Sequence, residues 1–132
     1  MLKRGVYAAS LSVLNKDLTL NVEATISHAE NLIKKGLHGC FFFGSTGMSQ
    51  LISKNEKMEL ISKISTHKQR KHFYLGTGCN SLNENIELIK YASEFNFNTI
   101  LLMPSAYYVG NSDEGVFESV SYTHLTLPTI RL

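Results

Sequence analysis

The chain has 132 residues, of which 43% are hydrophobic and 18% charged, and its formal net charge is +2. This length allows at most one ordinary domain, and the balance of apolar and charged residues is typical of a folded globular protein. The charge is too small to indicate nucleic acid or an anionic membrane as a partner. The sequence also contains no apolar run near the ~18 residues that a membrane span needs.

The two cysteines, Cys40 and Cys79, lie beside apolar segments and form no CxxC pair. These settings predict buried free thiols, which are typical of a reducing compartment. The beginning of the chain has two basic residues before a mildly apolar stretch, but Ser10 and Ser12 interrupt that stretch and no signal-cleavage site follows it. We therefore expect a cytoplasmic protein.

Strand-like and helix-like segments alternate along the first part of the chain. Residues 5–11 form a short apolar run, and residues 20–35 carry apolar side chains at steps of three and four, which predicts a helix. Gly36 is expected to end this helix, because glycine readily takes the left-handed conformation found there. Residues 38–43 are apolar at consecutive positions, which predicts a strand buried on both faces of a parallel sheet.

The same alternation continues to the C-terminal part. The further elements are a helix from Ser53, a strand over 72–75, a helix from Ser81, a strand over 99–103 and the start of a helix at Ser112. The first two of these helices open with a capping box, a serine followed by glutamate three residues later. This α/β order requires a parallel sheet with right-handed crossovers. An open doubly wound sheet and part of a (β/α)8 barrel both satisfy it.

Both architectures place the ligand beyond the carboxyl ends of the strands. The polar segments expected there are Ser10 with Ser12, Gly44-Ser45-Thr46-Gly47, Gly76-Thr77-Gly78-Cys79-Asn80 and Pro104-Ser105-Ala106-Tyr107-Tyr108. The turn at residues 44–47 offers backbone N–H groups and two hydroxyls, a combination that suits an anion the size of a carboxylate. It lacks the lysine of a phosphate-binding P-loop and the third glycine of a dinucleotide fingerprint. A plain connecting turn is the alternative.

Other chemistries find less support in the sequence. The tandem Tyr107 and Tyr108 could transfer protons or stack on a ligand, or they could simply cover the core or form a subunit contact. The histidines lack metal-ligand spacing, so we expect neither a metal nor a cofactor. Every lysine falls in a helix or a polar segment, so none is expected to be desolvated enough to form a Schiff base.

Four segments together resemble the dihydrodipicolinate synthase / N-acetylneuraminate lyase family, whose members are class I aldolases of 2-oxo acids built on a (β/α)8 TIM barrel. These are GVYAASLSVLNKD, GLHGCFFFGSTGMSQLISKNEKMELI, YLGTGCNSLNENIELIKYA and TILLMPSAYYVGNSDEGVFE. The match runs from about Gly5 to Ser119. It implies the first half of such a barrel, with about four βα units.

The resemblance assigns site residues. Ser45, Thr46 and Gly47 would bind the carboxylate of pyruvate or a related 2-oxo acid, and Ser45 would also stand in a hydroxyl proton relay. Tyr108 matches a catalytic tyrosine that reaches across a subunit contact, which implies a homo-oligomer for the full-length protein. The chain departs from the family pattern at Val13, where a proline is usual, and at Met48, where a glutamate is common.

The family's Schiff-base lysine lies on strand six and its catalytic tyrosine near the end of strand five. We therefore expect both to be absent from this chain, so that the chain by itself is inactive. VSYTHLTLPT, which begins at Val120, resembles the translation of a transposase-type sequencing adapter. We accordingly expect residues 1–119 to be the N-terminal half of the aldolase domain and residues 120–132 to be a non-native tail.

Two hypotheses follow for the function. The first is an aldolase half that holds the carboxylate of a 2-oxo acid, such as pyruvate, on the turn at residues 44–47. The second is a small non-catalytic α/β domain that binds a carboxylate or a phosphate. The first and last strands of a half barrel would also have unpaired edges, which predicts self-association.

Overall fold

A computed structural model describes residues 4–104 and 110–125, the last four of these by their backbone alone. Its strands and helices alternate in the predicted order. The strands are β1 (Tyr7–Ala9), β2 (Gly39–Phe42), β3 (Phe73–Gly76) and β4 (Ile100–Leu101); the helices are α1 (Val22–Lys34), α2 (Lys54–Ser65), α3 (Leu82–Glu94) and α4 (Asp113–Leu125). Short 3-10 helices at Ser49–Leu51 and Arg70–His72 precede α2 and β3. β1, β2 and β4 are shorter than the apolar runs that predicted them, whereas β3 is as long as predicted.

The strands form one parallel sheet in the order β1-β2-β3-β4. Each strand therefore pairs with its neighbour along the chain, with Ala9 opposite Phe41 and Phe41 opposite Tyr74. A doubly wound sheet reverses its strand order at a switch point, whereas a barrel adds strands in sequence. The sequential order thus selects a barrel segment from the two architectures that the periodicity left open.

The two faces of the sheet differ in burial. Cys40, Phe42, Phe73 and Leu75 point to the helix layer and are almost fully buried. Tyr7, Phe41 and Tyr74 are only half-buried, and their rings pack against one another with centroids 5.1–6.1 Å apart. The prediction that the strand over residues 38–43 is buried on both faces is therefore correct for one face only, since helices cover only that face within the described residues.

The helices bury the apolar stripes that their sequences predict. The side chains that fill the core behind the sheet include Ile26 and Ala29 of α1, Leu60, Ile61 and Ile64 of α2, and Leu88 and Ala92 of α3. Each leucine or isoleucine among them contributes roughly 1.5–3 kcal/mol when it is fully removed from water. No helix in the described part of the chain is long and apolar enough to cross a lipid bilayer.

Side chains cap the beginning of each helix. Asn21 accepts a hydrogen bond from the N–H of Ala24, and Ser53 forms the complete predicted capping box with Glu56. At α3 the structure shows the serine half of the predicted box, in which Ser81 Oγ accepts from the N–H of Glu84. Gly36 follows α1 with a φ of +98°, as its place in the sequence predicted.

The last helix begins where the sequence predicted, with Ser112 Oγ accepting from the N–H of Gly115 at 3.1 Å. Its backbone remains helical from Asp113 to Leu125, so the predicted domain boundary after Ser119 falls within it. The adapter origin of residues 120–132 concerns the source of the sequence rather than its conformation, and it stays a prediction.

Candidate functional site

The hydroxyl turn, residues 44–47, begins directly beyond β2 at the carboxyl edge of the sheet. Phe43 ends the strand in the left-handed region with a φ of +59°. The carbonyls of Gly44 and Ser45 then accept from the N–H groups of Ser49 and Met48, at 3.3 and 3.0 Å. The chain consequently folds back tightly and enters the 3-10 helix at Ser49–Leu51.

The middle of this turn is exposed and rich in hydrogen-bond donors. Ser45 and Thr46 are exposed, whereas Gly44 and Gly47 are buried on either side of them. Over residues 4–104 and 110–125, the N–H groups of Ser45, Thr46 and Gly47 donate to no protein acceptor. Two hydroxyls and three consecutive amide N–H groups are thus available to an anionic ligand.

The end of β1 supports the same turn, as the predicted clustering at this edge requires. Ser12 Oγ donates to the carbonyl of Gly47 at 2.6 Å, and both residues are buried. A Cβ at position 47 would lie 2.8 Å from the carbonyl oxygen of Ser10. Glycine is therefore required at this position by the close approach of the β1 connection.

A surface cavity of about 340 Å³ opens beside the hydroxyl turn. It is lined by Ser45, Met48, Ser49, Gln50, Leu51 and Met103. None of these side chains ionises near neutral pH, so a charged ligand here would be stabilised by hydroxyl and amide dipoles rather than by a cation. The cavity is large enough for a small organic acid.

The glycine turn, Gly76-Thr77-Gly78, begins at the end of β3 and packs against Phe43 and Ser49, which flank the hydroxyl turn. A Cβ at Gly76 would lie 2.5 Å from the carbonyl oxygen of Phe43, and a Cβ at Gly78 would lie 2.1 Å from Ser49 Oγ. Gly78 also has a φ of +53°. Only glycine satisfies this spacing without displacing the segments that carry Ser45 and Thr46.

Helix α2 supports the glycine turn through a buried lysine. Lys57 is 1% exposed, and its Nζ donates to the carbonyl of Thr77 at 2.8 Å. Burial is the main cause that lowers the pKa of Lys57, while the nearby Cys79 and Glu84 side chains partly oppose it. The expectation that no lysine is desolvated is therefore wrong for Lys57.

A signal for this burial was present in the sequence. Leu60, Ile61 and Ile64 follow Lys57 at steps of three, four and seven residues, so all four lie on one face of α2. That face packs on the core. The prediction excluded Lys57 because it lies in a helix rather than in a strand, although its position on the helix indicated burial.

The two thiols differ in their surroundings. Cys40 is fully buried, as predicted, and this burial raises its pKa to about 11. Cys79 is only partly buried, so the prediction for it is wrong in degree. Within the described residues, no group of three or more histidine, cysteine, aspartate or glutamate side chains is arranged to hold a metal ion.

Tyr107 and Tyr108 lie outside the described residues. The structure therefore does not test the role predicted for Tyr108. The structure does bring together Ser10, Ser12, Ser45, Thr46 and the glycine turn at one edge of the sheet. The prominent residue that sequence reasoning missed there is Lys57.

Comparison with known proteins assigns most of the chain to the family that its sequence resembles. Residues 2–129 match the model of the dihydrodipicolinate synthetase family. An uncharacterised DapA-like lyase of Pyrococcus furiosus is 31% identical over 117 residues, which cover 89% of this chain and 39% of that protein.

Two crystal structures are similar in fold. One is a dihydrodipicolinate synthase from Agrobacterium tumefaciens, with a TM-score of 0.83 and 25% identity over 93% of this chain and 43% of the other. The second is a variant of Sulfolobus solfataricus 2-keto-3-deoxygluconate aldolase in a pyruvate complex, with a TM-score of 0.82 and 25% identity over 94% and 42%. The chain thus spans less than half the length of these relatives, and its sheet is half of their barrel. It belongs to the dihydrodipicolinate synthetase family.

Proposed function

We propose that this chain supplies the carboxylate-binding part of a class I lyase or synthase that acts on pyruvate or a related 2-oxo acid. Ser45, Thr46 and Gly47 bind the substrate carboxylate, and Ser45 and Tyr108 take part in proton transfer. The family match supports the reaction class, and the pyruvate complex of the related aldolase supports the substrate class.

The observation that carries this proposal is the unpaired set of donors in the hydroxyl turn. A carboxylate accepts about four hydrogen bonds, and its bonds to N–H and O–H donors are about twice as strong as neutral ones. The three N–H groups of residues 45–47 and the two exposed hydroxyls provide enough donors, within the described residues, to fill that capacity. They lie beyond a parallel strand, where barrel enzymes bind their substrates.

The chemical step requires a neutral amine that attacks the keto carbon. Lys57 is buried, but its amine donates to the carbonyl of Thr77 and to Cys79 Sγ, which face the core side of the glycine turn. We therefore propose that the Schiff-base lysine belongs to the part of the barrel that this chain does not include. The chain alone would then bind the acid without converting it.

The family match also supports a cytoplasmic homo-oligomer for the whole protein, with Tyr108 close to a neighbouring active site. Neither nucleic acid nor a membrane is a partner in this proposal. The small net charge of +2 agrees with that choice.

Pyruvate affinity tests the site. Thr46→Val keeps the shape of the side chain but removes its hydroxyl, and we expect it to weaken pyruvate binding about tenfold, the effect of one hydrogen bond to a charged group. Thr66→Val serves as a matched control, because Thr66 is exposed at the end of α2, away from the turn. Equal affinity in the two variants would contradict the proposed carboxylate site.

Borohydride trapping tests the missing lysine. The chain is incubated with pyruvate, reduced with borohydride and mapped by peptide mass. We expect no lysine to carry the reduced pyruvate adduct. An adduct that is present in the parent chain and lost in Lys57→Arg would assign the Schiff base to Lys57 instead.

A further inference from the structure

Lys57 and Cys79 form a pair of nucleophiles outside the hydroxyl turn. Lys57 Nζ lies 3.4 Å from Cys79 Sγ, and both groups are within hydrogen-bonding distance of the carbonyl of Thr77. The two residues come from different elements, helix α2 and the end of the glycine turn. The proposed aldolase function uses neither side chain.

Their environments favour reaction with each other. Cys79 is partly exposed, so a small oxidant can reach its sulfur, whereas Lys57 is shielded from solvent. Burial lowers the pKa of Lys57 and so increases the fraction of uncharged, nucleophilic amine. Cys40 differs from Cys79 in being fully buried, and this burial raises the pKa of Cys40 to about 11.

We propose that Cys79 and Lys57 form an oxidative modification site in which a peroxide leads to a covalent sulfur–nitrogen link. In the first step the thiol sulfur gives two electrons to the peroxide. The O–O bond breaks, Cys79 becomes a sulfenic acid, and water leaves when the oxidant is hydrogen peroxide. In the second step the lone pair of Lys57 Nζ attacks this sulfur. The S–O bond breaks, and hydroxide leaves with a proton from the nitrogen as a second water.

The link would act on the glycine turn. The same Nζ that would bind sulfur now donates to the carbonyl of Thr77, and Gly78 packs directly against Ser49. Oxidation would therefore replace a flexible hydrogen bond with a covalent bond across 22 positions of the chain. The neighbouring segment that positions Ser45 would be constrained as a result.

Mass spectrometry of the 132-residue chain after treatment with hydrogen peroxide tests the proposal. We expect a species about 2 Da lighter than the reduced chain, with peptides containing Lys57 and Cys79 joined and released by dithiothreitol. Circular dichroism establishes that each sample is folded, and a urea-unfolded sample should not form the link.

Variants separate this link from a disulfide, which has the same mass change. Cys40→Ser should retain the lighter species, whereas Cys79→Ser and Lys57→Arg should lose it. Lys57→Gln provides a second variant if arginine does not fit the buried space. A folded parent chain in which Cys79 proceeds to a sulfinic acid, about 32 Da heavier, with Lys57 unlinked would overturn the proposal. A joined Cys40–Cys79 peptide would do the same.

Discussion

The hydroxyl turn and the glycine turn follow neighbouring parallel strands and contain similar residues, but the structure places them in opposite roles. Ser45 and Thr46 are exposed and have free backbone donors, whereas Thr77 is buried between Lys57 and the end of β4. The hydroxyl turn is therefore accessible to a ligand, and the glycine turn supports the hydroxyl turn. The two turns therefore differ in burial rather than in composition.

The largest expected effect comes from the contact of the glycine turn with Ser49, which follows the hydroxyl turn. Gly78→Ala would place a methyl group against Ser49 in a backbone conformation that disfavours a side chain. We expect the free energy of unfolding to fall by about 2–4 kcal/mol in urea denaturation, since strain and overpacking add.

Gly36→Ala is the matched control for this effect. Gly36 also has a positive φ, but a Cβ there would meet nothing within 4 Å. We expect a loss of about 1 kcal/mol from backbone strain alone. Equal losses at the two positions would show that the contact with Ser49 does not matter.

Removing the buried amine is expected to have a smaller effect. Lys57→Met removes the amine donor of the Thr77 carbonyl, which keeps only the weaker Cys79 thiol, but it also removes a buried charge, so we expect a net loss of about 1–2 kcal/mol at neutral pH. Lys63→Met, at an exposed position on the same helix, should change the stability by less than about 0.5 kcal/mol.

The difference in stability between the parent chain and Lys57→Met should change with pH in a definite direction. The folded-state pKa of Lys57 lies below the ordinary value of 10.5, so between the two values the unfolded chain binds more protons. The stability of the parent chain relative to Lys57→Met should therefore rise with pH until about 10.5. Urea titrations of both chains at several pH values measure this relative stability. A relative stability that falls with pH over this range would contradict the burial of the amine.

Glu56 stabilises the beginning of the helix that joins the two turns. Its carboxylate accepts from the hydroxyl of Ser53 and from the N–H groups of Leu20 and Ser53, and these bonds lower its pKa below 4.5. Its contribution should be complete above pH 4.5 and should disappear as the pH falls through the folded-state pKa.

Glu56→Gln tests this contribution. We expect a loss of about 1 kcal/mol near pH 7, in the range of a helix-capping interaction. The loss should shrink at acidic pH, where the parent carboxyl is protonated as well. Glu59→Gln, at an exposed position on the same helix, is the control. An equal loss at pH 7 and at pH 3 would be inconsistent with the pKa shift.

The smallest effects on stability should differ between the two turns. Thr77 Oγ1 is buried and has no hydrogen-bond partner within the described residues. Thr77→Val should therefore stabilise the chain by up to about 1 kcal/mol, because it removes an unpaired polar atom at constant shape. Thr46→Val should leave stability almost unchanged and affect only binding. Thermal unfolding of both variants measures the contrast, and destabilisation by Thr77→Val would indicate a partner for that hydroxyl.

Local signals predicted much of this fold. Serine and glutamate at positions 53 and 56 predicted a helix start, Gly36 predicted a helix end, and Gly44–Gly47 predicted the exposed turn. Periodicity did not decide between a barrel and a doubly wound sheet, because both use the same βα units. The family resemblance implied the barrel, and the pairing of each strand with its neighbour along the chain confirmed it.

The supporting turn was harder to predict from the sequence. Its geometry depends on contacts between residues distant in sequence, such as Lys57 with Thr77 and Gly78 with Ser49. Residue type assigns a lysine to solvent, whereas here the apolar face of α2 carries it into the core. The half-buried aromatic face of Tyr7, Phe41 and Tyr74 likewise depends on which layers cover the sheet.

Amide NMR during a pyruvate titration tests the central claim most directly. If the hydroxyl turn binds the carboxylate, the amide resonances of Ser45, Thr46 and Gly47 should shift saturably and with one common affinity. Those of Thr77 and Gly78 should move little. Pyruvate binding that shifts the glycine turn but leaves residues 45–47 unchanged would contradict the account.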